Sequence, residues 1–131
     1  MMSGELTYRQ TCSSRGAGSR LDVQNAVAAA SALVVTSKRE GLPTLVFEAM
    51  AQCKPVVVPN EAGCMETIAD GESGFIYQQD DLEDLAARTR AALEDGARGQ
   101  RARQRLLVEY DWRVVAPRLD ALSRGEVSCP K

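Results

Sequence analysis

Two glutamates, Glu40 and Glu48, are separated by seven residues and flank the start of an apolar segment. Glu48 is the one charged residue in 44–51, which we predict to be a largely buried helix. A buried, unpaired carboxylate is costly, so Glu48 needs a partner or a ligand, unless it is partly exposed and favoured by the helix dipole. Glu40 precedes Gly41 in a polar loop, where it is either a solvated charge or an acceptor for ligand hydroxyls.

The order of these groups suggests one class of ligand. A loop carboxylate can accept hydrogen bonds from sugar hydroxyls, and a carboxylate one turn into a helix can accept them from a ribose diol. The free N–H groups at the start of the helix between them favour phosphate. Glu40, the helix start and Glu48 therefore fit a nucleotide diphospho-sugar.

Composition excludes several other chemistries. The 131 residues include no histidine, so Ser–His and Cys–His nucleophile pairs and zinc sites built on imidazole are impossible. The four cysteines (Cys12, Cys53, Cys64, Cys129) form no CxxC pair, which favours reduced, inert thiols in a cytosolic protein. We expect no metal and no cofactor. A formal net charge of −2 argues against duplex nucleic acid as a partner.

Strands and helices alternate along the chain, with short loops between them. We predict strands at 32–36, 56–58 and 75–77, and helices at 23–30, 44–52, 65–69, 97–110 and 112–123. A further helix is expected to begin after Asp80 or Asp81 and to carry an apolar stripe of Leu82, Leu85, Ala86, Thr89 and Leu93. This order predicts an α/β fold, a doubly wound parallel sheet with helices on both faces and a helical C-terminus.

Local signals set the expected boundaries. Asp22 is the predicted cap of the first helix, and Pro43 fits the start of the second because its missing N–H is not needed there. We expect a poorly ordered leader at 1–21, a domain at 22–123 and a tail at 124–131. The basic run 98–105 is interpreted as an exposed helix face, and Asp80, Asp81 and Asp84 as a cap and a solvated face.

Several segments together resemble a known family. The chain reads EGLPTLVFEAMA over 40–51, KPVV over 54–57, GCME over 63–66, DGESGF over 70–75 and DW at 111–112. These motifs resemble the donor-binding, C-terminal half of the retaining GT-B glycosyltransferases of family 4, also called group 1. The resemblance covers about three quarters of the chain, and the E-x7-E segment is its most specific part.

The resemblance implies an incomplete Rossmann-like donor domain and a role for each matching residue. Glu40 would contact the donor sugar and help to stabilise charge at the anomeric carbon, and Glu48 would bind the ribose hydroxyls. Between them, Gly41, Leu42, Pro43, Thr44 and Leu45 would supply the loop and helix amides that meet the sugar and the phosphates. The implied reaction is sugar transfer with retention, without metal, in the cytoplasm or at the inner membrane face.

The sequence also departs from the family. We recognise neither an acceptor lobe nor the upstream strands that supply basic residues to the diphosphate, and Cys53 replaces the usual glycine before Lys54-Pro55. Lys38 and Arg39 are candidate replacements for the cations, although the pattern does not favour them. We therefore expect a fragment that is inactive alone, with a separate acceptor lobe or a second copy covering an exposed sheet edge. The alternatives are a non-catalytic α/β interaction module and a GT-B enzyme without transfer, such as an epimerase, which E-x7-E disfavours.

Overall fold

The computed structural model describes residues 19–39 and 43–126. Three strands alternate with helices in this part of the chain. The strands are β1 (Leu33–Val34), β2 (Val56–Pro59) and β3 (Phe75–Tyr77). The helices are α1 (Arg20–Ala29), α2 (Thr44–Ala51), α3 (Ala62–Met65), α4 (Leu82–Glu94), α5 (Ala97–Glu109) and α6 (Trp112–Ser123). The predicted leader and tail lie mostly outside the described residues.

The three strands form a parallel sheet in the order β1-β2-β3, which confirms the predicted α/β class. Leu33 is in register with Val56, and Val57 with Phe75. The prediction of a fully covered strand at 32–36 is wrong, since β1 has two residues and Val34 is 36% exposed. Within the described residues β1 pairs only with β2, so one of its sides has no strand beside it.

Strand β2 is the centre of the core because all of its residues are buried. Successive side chains of a strand point to opposite faces, and each face of β2 meets a different cluster. Val56 and Val58 pack with Val46, Ala49 and Met50 of α2 on one face. On the other face, Val57 packs with a second group, Phe75, Tyr77 and Ala92. The predicted placement of helices on both faces is therefore confirmed.

Capping residues explain where two helices begin. Ser19, rather than Asp22, is the cap of α1, because its hydroxyl accepts from the Asp22 N–H while the Asp22 carboxylate accepts from the Ser19 N–H at 2.9 Å. Asp81 caps α4 by accepting from the Asp84 N–H at 2.9 Å. The predicted apolar stripe of α4 is partly wrong, since Leu82 is 77% exposed and Ala92 is the buried residue.

Helix α3 spans Ala62–Met65, not the predicted 65–69. Predictions for β3, α5 and α6 agree with the structure to within one residue. None of the helices within the described ranges is long and apolar enough to cross a membrane. The Cys53 thiol is half-buried and the Cys64 thiol is buried, whereas Cys12 and Cys129 fall outside the described ranges.

The arginines of α5 attach that helix to the rest of the fold. Their prediction as an exposed face is correct for Arg101 and Arg103 and wrong for Arg98 and Arg105, which are half-buried. Three of them donate to main-chain carbonyls of the segment that connects α3 to β3: Arg98 to Gly71 at 3.0 Å, Arg101 to Glu72 at 2.8 Å and Arg105 to Thr67 at 3.2 Å. The Arg98 guanidinium also lies 4.0 Å from the centre of the Phe75 ring. This segment has no regular secondary structure that would supply donors for these carbonyls, and the arginine side chains supply them instead.

Helix α5 crosses the end of α2 at very close range. Gly99 is buried, and a Cβ placed on it would overlap the main-chain carbonyl of Cys53. Cys53 itself has a φ of 57°, in the left-handed region that favours glycine. The backbone at Cys53 therefore adopts a left-handed conformation that is typical of glycine, although the residue has a side chain.

Candidate functional site

The carboxyl end of β1 opens onto a cleft of about 340 Å³. This is the end of a parallel sheet at which loops meet helix N-termini and at which ligands usually bind. The cleft is lined by the end of β1 and the start of α2: Val34, Val35, Thr36, Ser37, Pro43, Thr44 and Leu45. The structure thus brings three of the predicted site residues, Pro43, Thr44 and Leu45, into one cavity.

The start of α2 has properties that suit an anion. Pro43 is the N-cap residue and makes no side-chain hydrogen bond to the helix. Within α2, the first turn contains no acidic side chain. Its dipole is therefore not offset by a carboxylate in that turn, and Thr44 and Leu45 are exposed beside the cleft. A diphosphate could accept hydrogen bonds from the main-chain N–H groups of Thr44 and Leu45.

Glu48 lies one turn further along α2, in a different depression. This groove of about 410 Å³ separates α1 from α2 and is lined by Gln24, Asn25, Ala28, Glu48, Ala51 and Gln52. Glu48 is half-buried, which agrees with the second of the two possibilities that the sequence left open, a partly exposed carboxylate. Within the described residues its carboxylate has no hydrogen-bond or ion-pair partner, so it can accept hydrogen bonds from a ligand.

Two side chains at the end of α2 join it to α1. Lys54 donates from Nζ to the carbonyl of Ala28 at 2.9 Å, and Gln52 donates to the carbonyl of Gln24 at 3.4 Å. These two hydrogen bonds therefore join α1 and α2 at one end of the groove. Glu48 lies between this end and the start of α2. Lys54 is one of the motif residues, and its ammonium satisfies a carbonyl at the end of α1.

Three other predicted site residues, Glu40, Gly41 and Leu42, lie outside the described residues. The chain on both sides of them is described, and it leads from the end of β1 to Pro43 at the cleft. The described part of the predicted site consists of the helix start in the cleft and Glu48 in the adjoining groove.

Lys38, a candidate cation for the diphosphate, is paired with a carboxylate. Its Nζ lies 3.2 Å from Asp80, and both side chains are about three quarters exposed, at 76% and 74%. Exposed pairs of this kind contribute only about 0 to 1 kcal/mol. Lys38 lines a smaller cavity of about 140 Å³, and Thr36 lines both this cavity and the cleft.

Tyr77 supplies a hydrogen bond that the sheet cannot make. The Val35 N–H donates to the Val57 carbonyl at 2.9 Å, so in a parallel ladder the Val35 carbonyl would accept from residue 59. Residue 59 is proline and has no N–H. The Tyr77 hydroxyl donates to the Val35 carbonyl instead, at 3.0 Å. A tyrosine hydroxyl is protonated at neutral pH, and burial raises the pKa of Tyr77 further.

The loop after β3 contains polar residues that sequence reasoning missed. Gln79 donates from Nε2 to the carbonyl of Lys38 at 3.2 Å, and its own N–H donates to Asn60 at 2.8 Å. The Asn60 amide donates in turn to the Gln78 side chain at 3.0 Å. The only available signal was the position of Asn60 directly after a buried strand.

Asp84 fastens the same loop from the first turn of α4. Its carboxylate accepts from the Gln78 N–H at 2.7 Å and from Arg88 at 3.2 Å. The Gln78 N–H, and to a lesser extent Arg88, hold the pKa of Asp84 below its usual value, against a smaller opposing effect of desolvation. The described residues include no cluster of three or more Asp, Glu or Cys side chains suited to hold a metal ion.

Comparison with known proteins identifies the family. Residues 3–106 match the sequence model of the glycosyl transferases group 1 family. The chain is 37% identical over 91 residues to a glycogen synthase of Mycobacterium tuberculosis, a match that covers 66% of this chain and 22% of the relative. It is 30% identical over 105 residues to the sulfoquinovosyl transferase SQD2 of Arabidopsis thaliana, covering 75% of this chain and 20% of the relative. The chain thus spans about a fifth of the length of these relatives.

Solved structures show the same fold. The Anabaena protein Alr3699/HepE in complex with UDP superposes with a TM-score of 0.71 at 25% identity, over 80% of this chain and 30% of that protein. A sucrose-phosphate synthase of Thermosynechococcus elongatus superposes with a TM-score of 0.68 at 28% identity, over 76% of this chain and 26% of the other. The family model, the relatives and the fold agree, and the chain belongs to the group 1 glycosyl transferase family.

Proposed function

We propose that this chain binds the nucleotide diphospho-sugar donor of a retaining sugar transfer. The observation that carries the proposal is the start of α2, which faces the cleft without a side-chain cap and without an acidic residue in its first turn. Family membership supports the assignment, as does the complex of Alr3699/HepE with UDP. The domain at 22–123 is the unit to which we assign this binding.

The start of α2, Glu48 and Glu40 have three separate roles in the proposal. The diphosphate lies at Thr44 and Leu45, where it accepts hydrogen bonds from main-chain N–H groups and meets the positive end of the helix dipole. These fixed dipoles would stabilise the charge that builds up on the leaving nucleotide. Glu48 accepts hydrogen bonds from the ribose, and Glu40, by its place in the motif, acts on the donor sugar.

We also propose that the chain alone does not turn over, because transfer requires an acceptor held against the donor. The covered lengths of the relatives support this, since the matching region is about a fifth of each, 22% and 20%. We place the reaction in the cytoplasm or at the inner membrane face.

Nucleotide binding is tested by titrating the folded chain with UDP, GDP and ADP while main-chain amide shifts are recorded. We expect shifts of Thr44 and Leu45 with at least one nucleotide at millimolar concentration. A folded sample whose α2 amides respond to none of the three would refute the proposed site.

The role of Glu48 is tested by comparing a diphosphate nucleotide that binds with its 2′-deoxy analogue. Because both ligands carry the same charge, the ratio of their dissociation constants isolates the contacts to the ribose. A hydrogen bond to a charged group contributes about 1.5 to 3 kcal/mol, so the wild-type ratio should be about tenfold or more. In Glu48→Gln the ratio should fall towards one. Glu94→Gln, the same change at an exposed position on α4, should keep the wild-type ratio.

The unpaired side of β1 favours a second candidate, an interaction module derived from the same fold. Within the described residues nothing pairs with this side, and Val34 is 36% exposed. An unpaired strand can add a strand from a second copy or from a separate acceptor lobe. Concentration-dependent dimerisation without any nucleotide response would support this candidate, whereas a monomer that binds nucleotide would remove the need for it.

A further inference from the structure

The chain that leaves β1 is held at two points by side chains from a single neighbouring segment. Tyr77, the last residue of β3, donates to the carbonyl of Val35, and Gln79, two residues later, donates to the carbonyl of Lys38 at 3.2 Å. Both acceptors are main-chain groups, three residues apart. Between them lie Thr36 and Ser37, which line the cleft.

Gln79 is itself held in place by a third loop. Its N–H donates to the Asn60 side chain at 2.8 Å, and Asn60 is fixed to β3 by its own N–H, which donates to the Tyr77 carbonyl at 2.9 Å. The Asn60 amide also donates to Gln78 at 3.0 Å. The loops that follow β1, β2 and β3 are therefore connected by side-chain hydrogen bonds at the end of the sheet where the cleft lies.

The ladder of the sheet does not require the Gln79 contact. Lys38 lies four residues beyond the end of β1, where no strand is paired with the chain. A polar segment of this kind loses conformational freedom when it becomes ordered, and ligand binding is weakened if the ligand has to supply that ordering. A side chain that orders the segment in advance removes part of this cost.

We propose that Gln79 is a positioning residue, which orders the segment 36–39 before the donor binds and so raises the affinity of the cleft. It does not touch the ligand. The effect on affinity rests on the proposed donor site, whereas the ordering of the segment does not.

A pair of isosteric changes separates this role from charge and from general stability. Gln79 acts as a donor, so Gln79→Glu removes the hydrogen bond to the Lys38 carbonyl while keeping the shape of the side chain. Gln78 acts as an acceptor from Asn60, and Gln78→Glu keeps that acceptor. Both variants add the same charge, one residue apart, in the same loop.

Order is measured first, on the full chain without ligand. We expect the main-chain amide order parameters of 36–39 to fall from about 0.85 towards 0.6 in Gln79→Glu and to stay at the wild-type level in Gln78→Glu. Thermal unfolding of the two variants should differ little, because Gln79 is only half-buried. Equal order parameters in both variants would overturn the proposal, whether or not any nucleotide binds.

Affinity is measured second, for a nucleotide diphosphate that shifts the wild-type amides. Loss of one neutral hydrogen bond corresponds to a weakening of about two- to tenfold in Gln79→Glu relative to Gln78→Glu. Disorder in 36–39 with unchanged relative affinity would overturn the link to the cleft. If the wild-type chain binds no nucleotide, the proposed function fails, and the order parameters still decide whether Gln79 orders the segment.

Discussion

The hydroxyl of Tyr77 substitutes for the N–H that Pro59 lacks, and this predicts the effect of removing it. In Tyr77→Phe the ring keeps its place in the core, and the Val35 carbonyl loses its donor. Val35 is only 9% exposed, so water has little access to replace that donor. A buried acceptor left unsatisfied costs about 1 to 3 kcal/mol.

The assay is equilibrium unfolding in urea, followed by far-UV circular dichroism at neutral pH. With a slope of about 2 kcal/mol per molar urea, a loss of about 2 kcal/mol lowers the midpoint by about 1 M. The slope itself should not change, because the wild type and Tyr77→Phe expose similar surface areas when they unfold.

A second substitution supplies the missing donor. Pro59→Val gives β2 four consecutive valines, and the N–H of residue 59 then points towards the Val35 carbonyl. In the Pro59→Val background, Tyr77→Phe should lower the free energy of unfolding by less than about 1 kcal/mol. The coupling energy between the two positions is then about 1 to 2 kcal/mol. If Tyr77→Phe costs the same in the wild type and in Pro59→Val, the Tyr77 hydroxyl does not take the place of the missing N–H of residue 59, and the reasoning is refuted.

Three further predictions concern stability. Gly99→Ala places a Cβ on the Cys53 carbonyl and should cost about 3 kcal/mol, lowering Tm by roughly 10 °C, whereas Gly96→Ala, with open space around it, should change Tm little. Cys53→Gly removes a side chain from a left-handed backbone and should stabilise the fold by about 0.5 to 1 kcal/mol, a gain that Cys53→Ala should not give. The pKa of Asp84 is lower in the folded than in the unfolded chain, so the ionised carboxylate stabilises the fold. This stabilisation is complete above about pH 4 and is lost as the pH falls through the folded pKa. The Tm of Asp84→Asn should therefore approach that of the wild type in acid.

The sequence predicted best those elements whose ends are marked by residues with strong local preferences. β3 follows the turn at Gly71 and Gly74, and α6 begins at Trp112, directly after its cap Asp111. The start of α1 was placed late because two residues, Ser19 and Asp22, could each cap a helix, and the capping box that joins them shows only in the structure. β1 was predicted too long, since a run of apolar residues does not reveal whether a neighbouring strand is present.

The candidate site was predictable in part for a similar reason. The helix start at Pro43 and Thr44 follows from local sequence, and the structure places it in a cleft. The contacts of Gln79 and of the α5 arginines join residues far apart in the sequence, 41 positions in the case of Gln79 and Lys38. No local pattern encodes such a pairing. The apolar sequence of α2 does not decide whether Glu48 is buried or partly exposed; the groove beside α1 leaves it half-buried.

The close crossing at Gly99 limits how α2 can move. A Cβ on Gly99 would overlap the carbonyl of Cys53, so no side chain separates the α5 backbone from the chain at the end of α2. We expect α2 and α5 to move together at this contact. Opening or closing around a ligand would carry Thr44, Glu48 and the whole of α5 together, and Arg98, Arg101 and Arg105 would pull the α3–β3 connection along with them.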